Sequence, residues 1–235
     1  LRGSLTERGF CAAESFHLLK EALRSGRKVD SVIASEAARR AIEEQFSDED
    51  LSVALVPEQL FKTIAATETS QGLIALVEPP EWKIDQLFTA SSLIVVLDGI
   101  QDPGNAGTIV RTAEAFAASG VMFLKGSVSP FNSKTLRASA GSLFRVPFVS
   151  ALEPAIARAA LQQNRIHLYA GMPHEGEHAR PKIVRPCALV IGNEGRGVSE
   201  EFRSLSEAVS IPTAGVESLN ASIAAAILLY EAYRG

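Results

Sequence analysis

Cysteine is scarce in this chain of 235 residues, which holds only Cys11 and Cys187, far apart and without metal-ligand spacing. They read as reduced, buried or half-buried thiols, as in cytosolic proteins. Histidine is no richer: His17, His167, His174 and His178 are scattered. His174 and His178 are four apart, but Pro173 and Gly176 argue against a helix presenting both, so no metal site is expected. Long hydrophobic runs are also missing. The longest, residues 223–229, falls far short of the ~18 residues a membrane span needs and reads as part of a core helix. No basic-then-apolar leader opens the chain, so a cytoplasmic location without a membrane partner is expected. The first residue is Leu1 rather than Met, and a few residues are expected to precede it. No G-x-G-x-x-G follows the first strand of the C-terminal part and no G-x-x-x-x-G-K-[ST] occurs, which counts against a dinucleotide-dependent dehydrogenase and a P-loop NTPase. Internal repeats and low-complexity tracts are absent.

What remains is a globular composition, 46% hydrophobic and 21% charged, long enough for one large domain or two smaller ones. Up to residue 77, helices and strands alternate. Helices are expected over residues 13–23, 36–46 and 57–64, and strands over 29–34, 51–56 and 73–77. Glu78-Pro79-Pro80-Glu81 then breaks regular structure, and a domain boundary is placed within residues 79–92. Residues 1–82 read as a small three-layer α/β/α unit. Residues 93–235 continue as β/α units, with strands at 121–124, 146–149 and 166–170 and helices at 133–144 and 154–163. This alternation implies a mostly parallel sheet.

Three segments of the C-terminal part share one grammar, a strand followed by a polar or glycine-rich loop. The first runs from residue 93. An apolar strand, L-I-V-V-L, leads into a turn with Gly99, Pro103, Gly104 and Gly107. A helix follows, with Ile109, Ala113 and Phe116 on one side and Arg111 about 200° around from Ile109. The second, residues 188–197 (A-L-V-I-G-N-E-G-R-G), is a strand and a tight turn carrying Asn193, Glu194 and Arg196. The third, residues 210–230, is a short strand, a loop, and a helix that Ser218 or Asn220 can cap. Open α/β sheets bind ligands at the edge where such loops gather.

In this order, the segments resemble the motifs of the SpoU (TrmH-like) RNA 2'-O-ribose methyltransferases of the SPOUT class. Asn105 and Arg111 match in the first, Gly192, Glu194 and Gly197 in the second, and Ile211, Pro212, Ser218, Leu219 and Asn220 in the third. The resemblance covers roughly residues 93–235. Element order makes residues 1–82 similar to the ribosomal-protein-like substrate-binding domain that often precedes it. The family implies an α/β fold with a trefoil knot, S-adenosylmethionine as cofactor, and a homodimer formed through the catalytic domain. It places the cofactor on Gly192, Ile211, Leu219, Ala170, Gly171 and Asn220, and the catalytic set on Arg111, Asn105, Glu194, Ser218 and Asn220. The implied reaction is methylation of a ribose 2'-hydroxyl in structured RNA, most of all ribosomal RNA. A transfer RNA enzyme and a catalytically silent RNA-binding relative are the alternatives. Because all five polar residues are present, an active enzyme is favoured.

Physical chemistry qualifies two of these roles. Arginine stays protonated, so Arg111 is better suited to holding a phosphate and stabilising a developing alkoxide than to acting as a literal base. Asn105 can orient Arg111 or the target ribose, serve as a turn or cap residue, or do both. The formal net charge of −4 speaks against a polyanion partner only if its distribution is ignored. No acid lies between Glu114 and Glu153, and that interval holds Lys125, Lys134, Arg137 and Arg145. Lys134, Arg137 and Arg145 are therefore the expected RNA contacts, since polyanion binding follows local field.

Overall fold

The computed structural model describes residues 5–67, 69–172 and 182–234. Its first sheet has four strands, β1 (Cys11–Ala13), β2 (Val29–Ser35), β3 (Val53–Val56) and β4 (Leu73–Val77), in the order β1-β4-β2-β3. Strand β4 runs antiparallel to β1 and β2, whereas β3 is parallel to β2. Helix α1 (Phe16–Arg24) begins where the Ser15 hydroxyl accepts the Leu18 N–H at 3.1 Å. It shares one face of the sheet with α2 (Arg39–Gln45), packing Leu18, Leu19, Ile42 and Phe46 with Val32, Ala34 and Leu73. Helix α3 (Glu58–Ile64) covers the other face, with Phe61 against Ala12 and Ile74. The layers are those expected. Strand β1 was not, because three small residues carry no β-branched signal.

The second sheet is wholly parallel. It comprises β5 (Leu93–Asp98), β6 (Gly120–Leu124), β7 (Phe148–Leu152), β8 (His167–Met172), β9 (Cys187–Gly192) and β10 (Glu207–Ser210), in the order β10-β8-β9-β5-β6-β7. Helices α4 (Pro103–Ala115), α5 (Ser133–Ala138) and α8 (Ala221–Arg234) lie on one face, α6 (Pro154–Gln163) and α7 (Glu200–Arg203) on the other. Strand β5 is buried along its whole length: Leu93, Val95 and Leu97 face α4 and α8, while Ile94 and Val96 face α6 and α7. A strand covered on both sides reads as an unbroken apolar run.

The helix expected over 133–144 stops at Ala138, because Ala140 and Gly141 take left-handed conformations, φ 49° and 91°. A 3₁₀ turn, Ser142–Phe144, follows. A Cβ at Gly141 would lie 2.5 Å from the Glu21 Cβ, so the turn packs hard against α1. One apolar core runs through both halves, taking in Cys11, Ala13 and Leu18 together with Leu136, Leu143 and Phe144. Arg27 adds a hydrogen bond from Nε to the Phe144 carbonyl at 3.0 Å. His174 and His178 lie outside the described residues, and among the described residues no cluster of His, Cys, Asp and Glu can hold a metal. No described helix is long and apolar enough to cross a membrane.

Candidate active site

The carboxyl ends of β5 and β9 meet at Asp98 and Gly192, which are paired in register. Beyond β9 the chain folds back on itself. Asn193 and Gly197 exchange backbone hydrogen bonds at 3.0 and 2.9 Å, and the Asn193 Oδ1 accepts the N–H groups of Gly195 and Arg196. The Asn193 Nδ2 donates to the Gly99 carbonyl at 2.8 Å, and the nearly buried Asp98 accepts the Ser199 N–H at 2.7 Å. The second motif is thereby stapled to the first. Gly192 is required by this fold-back: a Cβ there would sit 2.2 Å from Gly197 C and Val198 N. Asn193 and Asp98 hold the two motifs together, a role that sequence reasoning did not assign to them. The signal available was an Asn opening a glycine-rich turn, where its side chain can mimic a backbone turn.

Two helices start at this edge. Helix α4 is capped by Asp102, whose Oδ1 accepts the Asn105 N–H at 2.7 Å, with Pro103 in its first turn. The cap is Asp102, so the Asn105 side chain is left for other work. Helix α8 is capped by Asn220, whose Oδ1 accepts the Ser222 N–H at 2.9 Å and its hydroxyl at 2.7 Å. That use fixes the amide orientation. The Asn220 Nδ2 points away from the helix and donates to the Asn105 Oδ1 at 3.0 Å. The Asn105 Nδ2 then donates to the Glu194 carboxylate, also at 3.0 Å. A directional chain, Asn220 to Asn105 to Glu194, thus joins one residue from each of the three motifs.

Beside this chain lies a cleft of about 770 Å³ over the ends of β8, β9 and β10. Of the expected cofactor residues, Gly171, Gly192, Ile211, Leu219 and Asn220 line it. Ala170 does not. Strand alternation turns its methyl group to the opposite face, where it packs with Ala157 and Leu161 of α6. Of the catalytic set, Glu194, Ser218 and Asn220 line the cleft, along with Arg196 and Arg203. Arg111 is exposed on α4 and is not part of the wall. It sits six residues past Asn105, about 9 Å further along the helix.

The acid-free interval carries less free charge than its composition suggests. The acids that bound it fold back onto it: Glu153 pairs with Lys125 at 2.6 Å and Glu114 with Arg145 at 2.5 Å. Arg145 also reaches Glu21 at 2.7 Å. Its hydrogen bond holds the Glu114 carboxyl below the ordinary value. Arg145, expected to touch RNA, is committed instead to two carboxylates, one of them on α1. Lys134 and Arg137 are exposed on α5, and no carboxylate partner of theirs is found among the described residues. Both thiols are buried, and burial pushes Cys11 up to about 12 and Cys187 up to about 11, which leaves them unreactive at neutral pH.

Comparison with known proteins agrees with this geometry. Residues 92–230 match the SpoU rRNA Methylase family, and residues 16–83 match the RNA 2'-O ribose methyltransferase substrate binding family. The chain is 32% identical over 220 residues to the 23S rRNA (guanosine(2553)-2'-O)-methyltransferase RlmP of Bacillus subtilis, covering 92% of this chain and 86% of that one. It is 34% identical over 194 residues to a 23S rRNA (uridine(2479)-2'-O)-methyltransferase of Streptomyces viridochromogenes, covering 77% and 67%. The crystal structure of the SpoU methyltransferase AviRb from Streptomyces viridochromogenes, in complex with AdoMet, superimposes with a TM-score of 0.83 at 28% identity, covering 97% and 90%.

Proposed function

The chain belongs to the SpoU rRNA methylase family, and from that premise we propose that it methylates a ribose 2'-hydroxyl of ribosomal RNA, using S-adenosylmethionine held in the 770 Å³ cleft. The observation that carries this reading is the hydrogen-bonded chain from Asn220 through Asn105 to Glu194, which brings the three motifs together on one side of that cleft.

The cleft suits the cofactor. Its volume lies within the range of small-molecule sites, about 300–1,000 Å³. Its walls combine the apolar Ile191, Ile211 and Leu228 with polar groups at one rim. At Gly171 the nearest neighbours of a Cβ are 3.4 Å away, leaving bare backbone facing the cleft floor. When bound, S-adenosylmethionine supplies a methyl group made electrophilic by its sulfonium. The protein's work is then orientation and charge stabilisation. Asn105 and Asn220 hold each other and Glu194 in fixed rotamers, so the rim is preorganised. Arg111, always charged, holds the RNA phosphate beside the target and stabilises the alkoxide as it forms. Lys134 and Arg137 anchor further phosphates. The N-terminal unit grips the folded RNA, and a cytoplasmic site of action fits a ribosomal RNA substrate.

We further propose a homodimer formed on α4 and α8. Ile223, Tyr230 and Tyr233 of α8 are 52%, 45% and 57% exposed, and both tyrosine rings pack on Phe116 at 5.8 and 5.9 Å. An apolar stripe of this kind on a helix calls for a partner. A second copy on this face brings Arg111, distant from its own cleft, toward the cleft of the other. The decisive experiment is transfer of labelled methyl groups to ribosomal RNA, followed by alkaline hydrolysis. An alkali-resistant dinucleotide supports the assignment, and label on a base sinks it.

A further inference from the structure

Helices α4 and α8 start together, at the hydrogen bond between Asn105 and Asn220. They also finish together. Arg185, just ahead of β9, donates from Nε to the Ala232 carbonyl at 3.1 Å and from Nη2 to the Phe116 carbonyl at 3.4 Å. Ala232 lies in the last turn of α8, and Phe116 is the C-cap of α4. Both carbonyls belong to helix ends that carry partial negative charge and lack helical donors. Among the described residues Arg185 has no carboxylate partner. Its planar fork serves both helix ends only when they keep one separation and one stagger.

We infer that Arg185 is a positioning residue, which sets the stagger of α4 against α8 and so delivers Asn105 and Asn220 to one another at the far end. The helix lengths make this direct. With 13 residues in α4 and 14 in α8, a stagger fixed at one end is fixed at the other. A slip of one residue moves an end by about 1.5 Å, enough to break a hydrogen bond of ordinary length. The inference rests on the reading that the amide pair belongs to the active site, but one of its two tests does not.

The first test follows hydrogen exchange of the Asn105 and Asn220 side-chain amides by NMR in the full chain. In Arg185→Met, their exchange is expected to accelerate on the order of tenfold, with Arg185→Lys intermediate because an ammonium lacks the fork. Backbone amides of β5 and β9 should not change. Unaltered side-chain exchange, or equal acceleration in the strands, overturns the inference. The second test is a double-mutant cycle on methyl transfer. Arg185→Met should lower kcat on the order of 10–100-fold, as small misplacements do. In an Asn220→Ala background the same change should cost less than about twofold. An equal loss in both backgrounds shows a general structural role and overturns the proposal. If the wild type transfers no methyl group to RNA, the functional reading fails, and the exchange measurement still decides the clamp.

Discussion

Arg145 grips Glu114 at two points, Nε to Oε1 at 2.5 Å and Nη2 to Oε2 at 3.0 Å, and gives Nη1 to Glu21 of α1 at 2.7 Å. The pairing joins the helix that bears Asn105 and Arg111 to the N-terminal unit. The Arg145 hydrogen bond is the largest cause holding the Glu114 carboxyl below its ordinary value of 4.5. A carboxyl depressed in the folded state stabilises fully above that ordinary value, and its contribution disappears as pH falls through the depressed one. Glu114→Gln should therefore cost on the order of 1 kcal/mol at neutral pH, since the pair is partly exposed. Urea midpoints of variant and wild type should converge as the solution is taken well below pH 4.5. A gap that survives in acid would assign the effect to packing instead.

Lys134 and Arg137 differ in environment from the other two cations of their interval. Lys134→Ala and Arg137→Ala should each weaken RNA binding and lower the slope of log K against log salt by about one ion. Lys125→Ala, whose ammonium is already matched by Glu153, should change the slope less. Equal slopes for all three variants would show that the ion pairs open on RNA binding.

Gly192 lies under its own loop. Gly192→Ala forces a methyl group into the backbone of Gly197 and Val198 and should cost about 1–3 kcal/mol, with loss of cofactor affinity because the rim is displaced. Gly195→Ala is the control, since a Cβ there meets nothing nearer than 3.6 Å. Calorimetric titration with S-adenosylmethionine and thermal melts distinguish the two. Tight binding by a stable Gly192→Ala would remove the fold-back from the cofactor site.

Arg111→Ala should lose on the order of 10²–10³ in methyl transfer while keeping fold and cofactor affinity, because its side chain leaves α4 on the exposed side. Arg111→Lys should also be poor, lacking the planar fork. Sedimentation should give twice the chain mass of 25.1 kDa, and Tyr230→Asp should shift it toward the single chain. If Arg111 serves the neighbouring copy, mixing Arg111→Ala with Gly192→Ala restores part of the activity. No recovery on mixing would place Arg111 in its own chain's site.

The fold was legible where the pattern was strong. The covered strand over residues 93–97 and the helix over 154–163 follow from their apolar runs, and α6 has those bounds. The split of 133–144 was harder to see, because it depends on two left-handed residues and on Glu21, more than a hundred positions away. The site shows the same division. The resemblance of the three motifs marked Asn105, Glu194 and Asn220, and only the structure shows that they bond to one another. Ala170 lies outside the cleft wall because strand alternation turns its methyl group to the other face. Arg145 is matched by Glu114 and Glu21, which a count of charge along the chain does not show.

The apolar core shared by the two sheets has a thermodynamic consequence. Leu18 and Phe144 belong to one buried cluster that spans the N-terminal unit and the 3₁₀ turn at Ser142–Phe144. Halves joined in this way melt as one cooperative unit, and a scanning calorimeter should record a single transition whose van't Hoff and calorimetric enthalpies agree. The two halves are then coupled through shared stability, so a substitution that loosens the N-terminal unit also lowers the midpoint at which the cleft over β8, β9 and β10 is lost.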